Sequence, residues 1–315
     1  MHKLLLQRLL LLIPTLLLVS IAVFGMVRAV PGDVISILLA EQKLAGNERE
    51  ELAAKLGLDK PIVIQYVDWV SGVVRGDLGE SLFTGHPVRE DISEKFKVTA
   101  FLAILATIIS LVIAIPIGAI AALRQGSILD YFSRSFALLG ISLPNFWVGV
   151  AIIMYGSLWF RYAPPLRYAS VESDPLLLAR QLFLPALVLG WSMAGVVMRM
   201  VRTALLEVLR DDYIRTARAK GLRERVILWR HAMKNAMIPV ITISGIQLAA
   251  LFGGTVVIES VFNIPGVGRL LVESVALRDY PVVQGIALVM TVLVLLVNLA
   301  VDISYRYLDP RIRLS

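Results

Sequence analysis

The chain holds three histidines, His2, His86 and His231, and no cysteine. Thiol chemistry and disulfides are therefore excluded. A metal centre needs clustered imidazoles, thiolates or carboxylates, and these three imidazoles are far apart in sequence. The motifs HExxH and GxSxG, which would signal metal-assisted or serine-based hydrolysis, do not occur. One Gly-rich stretch, RGDLGES at 75–81, resembles a phosphate loop but lacks the GK[ST] ending and a preceding strand. Without a Walker A motif, any ATP hydrolysis is expected to come from a partner, and no cofactor is expected to be bound by this chain.

The remaining chemistry-bearing groups lie in or beside long apolar runs. An ion-coupled carrier tends to use intramembrane acids and bases, and here they are almost missing. Glu259 is the one acid placed to line a path, with a local pairing role as the alternative. Ser244, Gln247 and Asn298 are polar positions within apolar runs and are candidates for the same path. Such groups serve more often as interhelical hydrogen-bond partners. Arg199 and Arg202 lie three apart at the end of one run, and Asp302 at the end of another. Interfacial snorkelling accounts for residues so placed.

These groups must be positioned by apolar helices. Hydrophobic residues make up 57% of the 315 and charged ones only 17%, against about 25% charged in soluble domains. Six runs are long enough to cross a bilayer: 9–27, 98–123, 135–160, 181–198, 238–258 and 281–301. The first is uncharged and nineteen residues long, about 28 Å as helix. It is longer than the ~7–15 apolar residues of a signal peptide and is expected to be retained. Pro144 and Gly149 predict a break in the third run. Gly253 and Gly254 predict close helix contact or a bend in the fifth. The fold class expected is an all-α polytopic membrane protein with six transmembrane helices.

Residues 28–97 are not membrane-like and are expected to form a small helical module on one membrane face. Asn47 and Glu50 have capping-box spacing, Gly57 is placed to stop that helix, and Pro61 can open a second with a stripe of Ile62, Tyr66, Trp69 and Val73. Leaving this long segment aside, seventeen Lys and Arg fall on the side of the two termini and five on the other. The positive-inside rule then places both termini in the cytoplasm and the 28–97 module outside. The net charge of +7 thus marks cytoplasmic loops and not nucleic-acid binding.

The longest basic interruption is DDYIRTARAKGLRERVILWRHAMKNAMIP, residues 211–239. Asp211 and Asp212 suit a helix N-terminus, Arg218 and Lys220 a C-terminus, and Gly221 a left-handed stop. Leu222, Val226, Trp229, Met233 and Met237 would form one apolar face of a second helix, and Pro239 would open the fifth run. Physics alone leaves two readings: a basic helix lying on lipid, or a docking element for a soluble partner.

TARAKGL with RHAMKNAMIP resembles the cytoplasmic coupling loop, the EAA motif, of ABC-importer permeases, most of all the dipeptide, oligopeptide and nickel branch. Arg215, Thr216 and Ala217 stand where the general motif has Glu-Ala-Ala. Pro239 also comes later than in that motif. Both departures suit this branch. GD-x-G-x-S at 76–81, PGVGR and RDYPVVQG within 253–285, and LDPR at 308–311 are similar to segments of the same branch. The resemblance covers nearly the whole chain and implies a type I importer (MetI-like) permease fold. Its parts would be a first span to residue 27, an extracytoplasmic module at 28–97, a core at 98–306 with its coupling loop at 203–237, and a cytoplasmic tail at 307–315. It also implies a place in the bacterial inner membrane. Implied partners are a second homologous permease, two ATPase subunits carrying ATP and Mg, an extracytoplasmic binding protein and the lipid bilayer. Tyr213, Arg215, Thr216, Ala217, Lys220 and Gly221 would contact the ATPase, with Ala217 and Gly221 small enough for close approach. Asp77, Gly79, Arg269 and Asp279 are candidates for receiving the binding protein. The substrate would be a peptide, with nickel, glutathione or an opine as alternatives within the branch. An ion-driven carrier and a lipid-binding scaffold are the competing classes.

Overall fold

A computed structural model describes residues 2–29 and 59–308, with side chains described at 12–29, 59–301, 303 and 304. The Asn47–Glu50 box, the Gly57 stop, the LDPR tail beyond Leu308 and the Asp302 side chain lie outside these. The described residues form helices α1 (His2–Ala29), α2 (Ile62–Val74), α3 (Val88–Leu123), α4 (Ile128–Ser142), α5 (Asn145–Phe160) and α6 (Pro175–Val208). A short α7 (Asp212–Ala219) follows, then α8 (Glu224–Val261), α9 (Val267–Leu277) and α10 (Tyr280–Leu308). There is no named strand among the described residues, only an isolated bridge between Glu80 and Pro87. Five helices are long and apolar enough to cross a membrane, or six if α4 and α5 count as one broken span.

The expected break in the third run is a bend of 96° between α4 and α5. Pro144 cannot continue the hydrogen-bond ladder, and Leu143 and Pro144 are extended. The run expected as one helix from Ser135 is therefore two helices, beginning at Ile128. Other spans overrun their apolar cores. α3 has 36 residues, about 54 Å at ~1.5 Å per residue, well beyond a bilayer's ~30 Å. α6 runs to Val208, so residues 203–208 continue the helix of the fourth run. Pro239 lies inside α8; the fifth span begins fifteen residues before it, at Glu224.

The chain divides into two compact units. The first joins residues 1–98 to Pro265–Leu295. Val88 and Ile92 of α3 meet Val267 of α9 and Val282 and Ile286 of α10 in a small apolar core. The second unit holds Thr99–Ile264 and the end of α10. α6 is its axis. A Cβ on Gly190 would stand 2.7 Å from the Ala106 carbonyl of α3, and one on Gly195 2.5 Å from the Ala137 carbonyl of α4. The backbones approach so closely because these positions carry no side chain. Gly253 and Gly254 behave otherwise: among the described residues a Cβ at either meets nothing within 4 Å, so of the contact or bend expected there, the contact is not made by them.

Candidate functional site: the element after the fourth span

α7 is a two-turn helix with one face turned in. Ile214 is fully buried and Ala217 is 7% exposed. They pack with Ala119 and Ala122 of α3, Ala204 and Leu205 of α6, and Ile227, Leu228, Ala232, Met233 and Ala236 of α8. One short helix therefore shares a core with the ends of three long ones. Tyr213, Arg215, Thr216, Lys220 and Gly221 lie on the exposed side. Ala217 does not: its small side chain lets α7 seat against its own chain.

The turn at Gly221 has the form expected of a glycine stop. Gly221 has φ +76°. Its N–H donates to Arg218 O at 2.9 Å, and Leu222 N–H reaches back to Ala217 O at 3.3 Å, the paired bonds of a Schellman cap. Arg218 and Glu224 bridge the turn at 2.8 Å. Arg215 and Asp212 approach to 3.4 Å, both well exposed, a pair of the kind that contributes little.

Beyond the turn the expected apolar face holds only at its far end. Leu222, Val226 and Trp229 are exposed, whereas Met233 is buried and Met237 half-buried, in a core that also takes Ile227, Leu228, Ala232 and Ala236. The cause is local: Ile227–Ala232 forms a π-turn. Its i→i+5 bonding accommodates more residues per turn than an α-helix, so a 3.6-residue period fails across it. π-turns recur at functional sites. Tyr213 of α7 bonds to this one. Its hydroxyl accepts from Asn235 Nδ2 at 2.8 Å and donates weakly to the His231 carbonyl at 3.4 Å.

A second feature escaped the sequence reading. Asp130, fully buried, accepts from Arg202 Nε at 2.8 Å and Arg202 Nη2 at 3.0 Å. It also accepts from Arg134 Nε at 3.0 Å and the Gly126 N–H at 3.0 Å, with a second, short contact to Arg134 Nη2. Bidentate pairs of this kind fix geometry as well as charge. Arg202 is thus not an interfacial snorkel; it ties α6 to the start of α4, two turns of helix before α7. The i,i+4 spacing of Asp130 and Arg134 was visible, but the partner 72 positions away was not.

The other candidate residues are dispersed. Glu259 on α8 is fully buried and accepts from Thr99 of α3 at 2.8 Å. Ser244 is buried and donates to the Val240 carbonyl one turn back at 2.7 Å. Gln247 is half-buried and Asn298 exposed. In the first unit, Asp77 caps the N–H of Gly79 at 2.9 Å, and Arg269 pairs with Glu273 on α9 at 2.7 Å. Asp279 is buried, accepting from Ser81 Oγ at 2.5 Å and the Leu82 N–H at 3.2 Å. The two resemblance-bearing segments, RGDLGES and RDYPVVQG, meet there. Burial raises the Asp279 carboxyl above its ordinary value, against the opposing pull of the Ser81 hydrogen bond.

The family of binding-protein-dependent transport system inner membrane components matches residues 114–314, and its N-terminal companion matches residues 1–103. The chain belongs to this family. It is 38% identical to the dipeptide transport system permease protein DppB of Escherichia coli, over 99% of both chains. It is 40% identical to the di/tripeptide permease DppB of Pseudomonas aeruginosa, over 98% of this chain and 97% of that one. A putative peptide transport system permease of Brucella abortus is also 40% identical, over 99% of each. Among solved structures, the inward-facing MetNI methionine ABC transporter is similar over 69% of this chain and 96% of that chain, with TM-score 0.54 and 18% identity. An amino acid ABC transporter gives TM-score 0.53 at 15% identity, over 69% and 94%. At such identities the likeness shows the fold: the chain has the helical fold of ABC-importer membrane subunits.

Proposed function

We propose that this chain forms half of the translocation path of an ATP-driven peptide importer, and that the 211–221 element couples that path to an ATPase. The observation that carries the coupling role is the seating of α7. Ile214 and Ala217 fix it to the ends of α3, α6 and α8, while Tyr213, Arg215, Thr216 and Lys220 remain available to a partner. A force on α7 is passed to three spans through packed side chains that cannot be compressed. A helix lying passively on lipid would need no such seat.

In this reading the termini and α7 face the cytoplasm, as the Lys and Arg distribution favours. A second homologous permease completes the path, two ATPase subunits bind ATP and Mg below, and a binding protein delivers substrate from the other side. Peptides as substrate follow from the named relatives. Closing of the ATPase pair moves α7, and α6 and α8 reorient with it. This chain makes no covalent bond in the cycle. Its work is alternating access driven by differential contacts in two states.

The test is reconstitution of the assembled complex in vesicles with Arg215→Glu and Lys220→Glu. Insertion and assembly of the two permeases should persist, while peptide uptake and binding-protein-stimulated ATP hydrolysis fall at least about tenfold, the loss of ~1.4 kcal/mol of coupling. Uptake that needs an ion gradient and no ATPase would overturn the proposal, as would a complex that purifies with α7 free of any ATPase.

A further inference from the structure

α2 follows the first span by sequence and returns to it in space. Gln65, Tyr66 and Trp69 face α1. Tyr66 and Trp69 place their rings 5.4 and 5.8 Å from that of Phe24. The Tyr66 hydroxyl is 2.8 Å from Ser20 Oγ, and Gln65 is hydrogen-bonded to Arg28. All three α1 residues lie within the apolar window Leu12–Ala29 that can cross a membrane. Phe24 is five residues before the end of α1, about 7.5 Å along its axis, and Ser20 about 13.5 Å. The depth of α1 therefore sets the depth of α2.

Among the described residues, nothing covers the opposite face of α2, which is apolar. Val63, Val67 and Val74 are 69%, 56% and 82% exposed, and with Val70 they recur at spacings of four, three and four, one stripe of a helix. The one charge on the helix, Asp68, is paired with Lys60 at 2.8 Å. α1 presents its own exposed Leu18, Ile21 and Met26, an apolar surface that a spanning helix turns to lipid. With thirteen residues, α2 is about 20 Å long and cannot span ~30 Å of hydrocarbon. An interfacial helix sinks its apolar face ~5–10 Å into the headgroup and acyl boundary, the depth that Phe24 fixes. Tyr66 and Trp69 are the aromatic types enriched at that level.

We infer that α2 is an interfacial helix, and that the Val63, Val67, Val70 and Val74 stripe is covered by lipid acyl chains of the leaflet in which α1 ends. Part of the 28–97 segment, expected as an extracytoplasmic module on one membrane face, is then seated in the membrane. The inference is independent of the transported substrate and of the coupling role of α7.

The absence of cysteine from the chain makes the test direct. Nitroxide labels would be placed singly at Val67→Cys, Val74→Cys, Asp68→Cys and, as a lipid-facing reference, Leu18→Cys, in the assembled complex in nanodiscs. Collision with molecular oxygen and with a water-soluble nickel chelate would then be compared. The oxygen-to-nickel ratio at 67 and 74 should match that at 18 and exceed that at 68 several-fold. A ratio at 67 and 74 as low as in bulk water overturns the inference. So do immobile labels there that neither agent reaches, which would mean that a protein partner covers the stripe.

Discussion

Asp130 holds two guanidinium groups of unequal exposure: the Arg202 side chain is 19% exposed and that of Arg134 47%. Truncating one partner of a buried pair costs about 3–5 kcal/mol because the other charge is stranded, whereas exposed pairs contribute ~0–1 kcal/mol. Asp130→Ala should therefore lower the melting temperature of the purified complex more than any other change in this cluster. Arg202→Ala should follow closely, and Arg134→Ala should do least. A melting series of the three variants checks the order. At α7, Ala217→Glu would put an unpaired carboxylate into the shared apolar core. Insertion should survive, while transport and stimulated ATP hydrolysis are abolished. Normal stimulation in vesicles would speak against the lever. Tyr213→Phe removes only a hydroxyl, worth about 0.5–1.5 kcal/mol. It should leave melting nearly unchanged and raise the number of ATP molecules consumed per peptide imported.

Among elements, the π-turn separates what the sequence discloses from what it conceals. Gly221 as a stop, the α7 helix and the break at Pro144 were all legible, because each follows from one residue's backbone preference. The buried face of residues 224–236 was not. Periodicity assumes one residue count per turn, and six residues at Ile227–Ala232 violate it. Helix ends were read short for a related reason: hydropathy marks the lipid-facing middle of a span, and α3 and α6 continue as amphipathic helix beyond it. The Asp130 clamp and the Ser81–Asp279 tie stayed hidden because both join residues distant in sequence. The π-turn also makes a kinetic prediction. Its strained ladder should open locally more readily than regular helix. Amides at 227–232 should exchange with deuterium faster than those at 249–258 of the same α8, and protection equal to that interior would contradict it.

For the whole molecule, the Ser81–Asp279 tie links pH to stability. The Asp279 carboxyl is raised above its ordinary value of 3.8 by burial, so the folded state binds this proton more tightly than the unfolded one. The stability this group contributes is fully present below that ordinary value and is lost as pH rises through the raised one. Melting of the wild-type complex should show this loss across the acid range, and Asp279→Asn should flatten that part of the profile. The long apolar runs and an all-helical membrane fold were legible because the bilayer admits few architectures. The grouping of residues 265–295 with the N-terminal unit was not, since it depends on which helices pack.

The sharp bend between α4 and α5 bears on how the chain is made. Each arm, fifteen and sixteen residues, is under ~25 Å long and too short to cross the hydrocarbon by itself. The inner face of α4, Asp130, Ser133, Ala137 and Gly140, is polar or small and meets α6 at Arg202 and Gly195. A nascent chain released after Phe160 lacks that support. Stable integration must wait until the translocon has delivered α6, which makes the third crossing a late event of biogenesis although it is third in order of synthesis.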